Sequence, residues 1–74
     1  MELDLEDKLA AGRAADRIME LAQQEGPDGI AWLRENTFLD YGKYETEARK
    51  IISTMTNDVI DAIDENIARK LAKL

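Results

Sequence analysis

The chain has 74 residues, a formal net charge of −6, and neither cysteine nor histidine. A chain of that length forms one domain with a small core, without disulfides, thiolate metal sites or the commonest general base and metal ligand. With 45% hydrophobic residues it is too apolar for disorder, and its acidity argues against direct contact with nucleic-acid phosphates or an anionic membrane.

The first predicted element is a helix over residues 4–25. Asp4 is its N-cap, and Glu6 and Asp7 place negative charge at the positive end of the dipole. Leu5, Leu9, Gly12, Ala15, Ile18, Met19 and Ala22 are expected on its apolar side. Asp4 and Lys8 have the spacing of a surface ion pair. The small residues Ala10, Ala11, Gly12, Ala14 and Ala15 are read as a seat for the chain's own last helix, or alternatively for a foreign one. Glycine inside a helix costs about 1 kcal/mol relative to alanine, so a packing role is expected for Gly12. Gly26 is expected to supply a left-handed cap, and Pro27 to forbid continuation.

Pro27-Asp28-Gly29 reads as a turn, with Asp28 capping a short helix that carries Ile30 to Leu33 and ends near Asn36. Residues 37–43 read as a packed connector in which Thr37 caps a single turn. Trp32, Phe38, Tyr41 and Tyr44 concentrate the aromatic residues and form an expected mini-core. Tyr41 and Tyr44 are the pair expected at the surface, as candidate partner anchors.

From Lys43 or Tyr44 to Leu74 the apolar residues Ala48, Ile51, Ile52, Met55, Val59, Ile63, Ile67, Leu71 and Leu74 recur at helical steps. The expectation is one long helix, supported by Glu45–Arg49 and Glu65–Arg69 pairs and closed by Arg69, Lys70 and Lys73. The alternative is a break within Ser53–Asp58, with Thr56 or Asn57 capping a separate final helix. The uninterrupted apolar register favours a single helix. Asp58, Asp61, Asp64 and Glu65 form an acidic block. Asp58, Asp61 and Glu65 follow one face, either as a solvated surface or as carboxylates imitating phosphates.

The expected fold is therefore all-α: one domain over 1–74, a small helical bundle of two long antiparallel helices and a short crossover helix. A single helix from Tyr44 to Leu74 would span roughly 46 Å against roughly 33 Å for the first helix. That difference would leave Ile67, Leu71 and Leu74 uncovered, as a self-association stripe for a homodimer. Ser53 is the only serine and has no histidine or cysteine to work with. No calcium-loop pattern is present. The chain is thus expected to be non-enzymatic, without a cofactor. It also shows no signal segment or membrane span, and the cytoplasm is its expected location. These features suit a small acidic protein-binding module acting stoichiometrically as an inhibitor, adaptor or regulator, of the kind phages and mobile elements encode. A nucleic-acid mimic filling a basic cleft and a structural self-assembly subunit are the alternatives.

Overall fold

The computed structural model describes residues 3–36 and 44–74. These form four helices: α1 (Leu5–Glu25), α2 (Pro27–Asn36), α3 (Glu45–Ile51) and α4 (Asn57–Ala72). Among the described residues there is no strand, so the all-α bundle holds. The connector expected over 37–43, with Phe38 and Tyr41, lies outside the described residues.

Helix α1 is the hub, on which α2, α3 and α4 all pack. Asp4 occupies its N-cap position with extended backbone, but its side chain makes no capping hydrogen bond. The buried face carries Ala11, Ala14, Ala15, Ile18 and Ala22, all fully enclosed. Their spacing of three and four residues is the true helical stripe. Of the expected face, Ala15, Ile18, Met19 and Ala22 are buried, whereas its first two members fall outside: Leu5 is 72% exposed and Leu9 55%. The alanines go inward because a hub helix needs room for neighbours on several flanks. Large residues of α4 (Val59, Ile63, Ile67 and Leu71) supply the volume that the alanines lack, in one shared core.

The α1–α2 junction is tighter than a turn. Gly26 has φ 89° and ψ −157°, a positive-φ conformation suited to glycine but outside the left-handed helical region expected for the cap. Pro27 is already the first residue of α2, where its fixed φ fits and its missing N–H costs nothing. Asp28 therefore sits in the first helical turn rather than capping the helix. Gly29 is buried because α2 lies directly against the end of α1.

The expected single C-terminal helix is two helices. Ile52 ends α3 in an extended conformation with φ −133° and ψ 113°. Thr56 then starts α4, its Oγ1 accepting a hydrogen bond from the Val59 N–H at 3.2 Å. The side chains of Ser53, Thr54 and Thr56 compete with helical hydrogen bonding, and the N-cap gives Thr56 a position that it favours. The apolar register fails as a guide here because both halves face the same core: Ala48 and Ile52 from α3 join Val59, Ile63, Ile67 and Leu71 from α4.

The break also changes the topology. Tyr44, at the start of α3, meets Glu25 at the end of α1, while Glu47 reaches Arg17, about two turns back along α1, at 3.7 Å. Helix α3 thus runs antiparallel to α1. The chain then returns to the beginning of α1, where Leu3, Asp4 and Asp7 share a cleft with Thr54, Thr56, Asp58 and Val59. Further along, Asp16 pairs with Lys70. Helix α4 is therefore parallel to α1, not antiparallel as expected. The longest dimension, 34 Å, is close to the ~32 Å length of α1 and too short for an unbroken helix over 44–74.

Candidate interaction surfaces

The two aromatic residues of the described part act as a clamp. Trp32 on α2 and Tyr44 before α3 meet edge to face, with centroids 5.2 Å apart at 78°. The Tyr44 hydroxyl donates to Glu25 Oε2 at 3.2 Å. The mini-core is thus real where it is described. Tyr44, expected as a surface anchor, is only 3% exposed. Its ring closes the corner between α1, α2 and α3, with its hydroxyl on Glu25. Tyr41, the other candidate anchor, lies outside the described residues.

The stripe expected for self-association is largely interior. Ile67 is fully buried and Leu71 is 7% exposed, while Leu74 is 63% exposed. The length argument behind the stripe does not survive the break. At 16 residues, α4 is shorter than the 21-residue α1, which covers it. Leu74 alone keeps the exposure that the argument required of three residues.

The acidic row behaves differently. Asp58, Asp61 and Glu65 lie together along α4 and line a groove of about 710 Å³ between α4 and the start of α1. Asp61 and Glu65 are exposed and Asp58 is half-buried. Leu3 and Ala62 give the groove apolar wall, and Lys8, Asn66 and Arg69 complete its lining. Sequence reading missed Leu3 and Lys8 as members, since only the parallel packing of α1 and α4 brings them there. Asp64, which belongs to the same acidic block in sequence, is 3% exposed and points into the fold. Helical phase separates it from the row, because it follows Ile63 on the buried side.

The ion pairs described lie mostly at the surface. Arg49 contacts Glu45 at 3.4 Å, as the spacing suggested. Arg69 instead donates to Asn66 Oδ1 at 3.0 Å, so the expected Glu65–Arg69 pair is replaced. Among the described residues, Asp58, Asp61 and Glu65 form no ion pair with Lys8 or Arg69 beside them. Among the described residues no cluster of acidic side chains has the arrangement to hold a metal ion. None of their helices is long and apolar enough to cross a membrane. Comparison with protein-family models, with curated proteins and with solved structures gives no match for this chain.

Proposed function

We propose that this chain is a small, acidic, non-enzymatic protein-binding module that acts by stoichiometric contact as an inhibitor, adaptor or regulator. The observation that carries this reading is the groove between α1 and α4, where Asp58, Asp61 and Glu65 present carboxylates beside the apolar Leu3 and Ala62. Such a surface suits a basic, partly apolar segment of another protein. Charge sets its orientation and encounter rate, and the apolar wall adds affinity. The cytoplasm is the compartment we propose for it. A purely structural role through self-assembly is the weaker reading, because α1 encloses most of the stripe that would have carried it.

Affinity capture with the whole chain, followed by reconstitution with the purified partner, tests the proposal. Asp58→Asn, Asp61→Asn and Glu65→Gln together should leave the fold intact and weaken that binding at least ten-fold. Unchanged affinity would move the partner surface elsewhere.

The nucleic-acid-mimic reading rests on the same carboxylate row. The cations Lys8 and Arg69 within the groove weaken it, since a phosphate imitation has no use for them. Salt separates the two readings. A mimic should lose affinity steeply with ionic strength, whereas a mixed apolar and acidic contact should lose it gradually.

A further inference from the structure

Among the described residues, none packs on the outward side of α1. Leu5 and Leu9 are 72% and 55% exposed on successive turns. Gly12 continues that line one turn later, and a Cβ placed on it would meet nothing within 4 Å. Packing among the described residues therefore does not explain the glycine, although it lowers helix stability. Glu6 and Arg13 lie along one margin of the same line, two helical turns apart and of opposite sign. Neither forms an ion pair or side-chain hydrogen bond among the described residues, where the α1 cation so engaged is Arg17, with Glu20 and Glu47.

Positions 5, 9 and 12 have the four-then-three spacing of a coiled-coil seam, and positions 6 and 13 fall at one repeated flanking position of it. When two such helices pack antiparallel about a two-fold axis, like flanks face each other. Glu6 of one copy then approaches Arg13 of the other, and the axis generates the pair twice. With the axis between Leu9 and Gly12, each Leu9 lies over the partner's Gly12, where the absent side chain admits it. A parallel pair would instead set Glu6 beside Glu6 and Arg13 beside Arg13 in level, without complementarity.

We infer that the outward face of α1 pairs with a second copy of itself, antiparallel, through Leu5, Leu9 and Gly12 and two symmetric Glu6–Arg13 contacts. This surface shares no residue with the acidic groove, so it neither needs nor excludes the proposed partner. Two leucines and a glycine from each copy make a small contact, at the low end of specific interfaces, so the association expected is weak and shows itself at high concentration.

Sedimentation equilibrium of the whole chain up to millimolar concentration is the test. Glu6→Arg and Arg13→Glu each turn two attractive contacts into two repulsive ones. Each variant alone should raise the dissociation constant about 10- to 30-fold. An equimolar mixture of the two variants restores both pairs across a heterodimer and should associate like the wild type. Gly12→Leu should also abolish association by filling the crossing. Glu6 and Arg13 are exposed and a side chain on Gly12 enters open space, and unchanged helical circular dichroism verifies the fold of each variant. A wild type that remains monomeric at millimolar concentration overturns the inference. So does association that the single charge reversals leave unaltered, or a mixture that fails to recover it.

Discussion

Two glycines in this bundle should respond to the same substitution with opposite sign. Both Gly12 and Gly29 lie within helices, so alanine at either gains about 0.5–1 kcal/mol of backbone preference. At Gly12 nothing offsets the gain, because the new methyl group enters open space. Gly12→Ala should raise stability by that amount and the melting temperature by about 3–7 °C in a domain of this size. At Gly29 the methyl group would overlap the Ala22 carbonyl oxygen, with Glu25 Cβ at 3.0 Å and the Ala22 carbonyl carbon at 3.1 Å. Two of those atoms are backbone on α1, so relief requires lifting α2 off the hub. Overpacking of this kind costs about 1–3 kcal/mol, which exceeds the backbone gain. Gly29→Ala should therefore lose about 1–2 kcal/mol. Urea unfolding followed by circular dichroism, at low micromolar concentration so that the monomer is measured, gives both values. A Gly29→Ala protein as stable as the wild type would refute the close helix approach. A destabilised Gly12→Ala protein would refute the open surface.

Thr56→Ala should cost about 1 kcal/mol, the usual worth of an N-cap side chain, in the same unfolding experiment. Ile67→Asp should prevent folding rather than merely dissociate an oligomer, because it places a charge in a fully enclosed site; a folded monomer by circular dichroism would contradict that burial. Tyr44→Phe removes the hydroxyl that donates to Glu25 and keeps the ring against Trp32. It should cost no more than about 1 kcal/mol, whereas Tyr44→Ala should cost about 3–5 kcal/mol and shift Trp32 fluorescence to longer wavelength.

Local chemistry in the sequence located the helix boundaries better than it located their partners. Gly26 before Pro27 marks the end of α1 wherever α2 goes, because both residues act on their own backbone. The core residues of α3 and α4 were equally legible from their spacing. What spacing does not encode is direction. Ala48 through Leu71 keep one apolar phase whether the chain continues straight or reverses, since a register reports which side faces the core and not which way the axis runs. The Ser53–Thr56 segment held the missing information in its capping chemistry, and that signal competed with an apolar pattern that carried none. On α1 the error had another source. Leucine outranks alanine in any hydrophobicity ranking, so Leu5 and Leu9 drew the apolar face toward themselves. A hub surrounded by three helices selects small residues for much of its interior side, and here Leu5 and Leu9 stay outside. Of the expected surface sites, the acidic row could be read from one helix alone, and α4 keeps Asp58, Asp61 and Glu65 together. Tyr44 and Ile67 depended on tertiary neighbours, and the changed topology moved both inward.

The break between α3 and α4 thus decides what kind of molecule this is. An unbroken helix over 44–74 would lie along α1 on one flank only and leave its own end bare. Reversal at Ile52–Thr56 divides the same apolar side chains between two flanks of α1, with Glu47 beside Arg17 and Lys70 beside Asp16. It brings the beginning of α4 to the beginning of α1, and the acidic groove exists only because of that juxtaposition: Leu3 and Lys8 come from one helix start, Asp58 and Asp61 from the other. It also satisfies the monomer's need for cover. Among the described residues, the large apolar side chains left outside are Leu5 and Leu9 on the far side of α1 and Leu74 in the last turn of the chain. A leucine pair and an unexplained glycine on the rigid central helix are therefore a surface feature in their own right, and not the unfinished edge of a core.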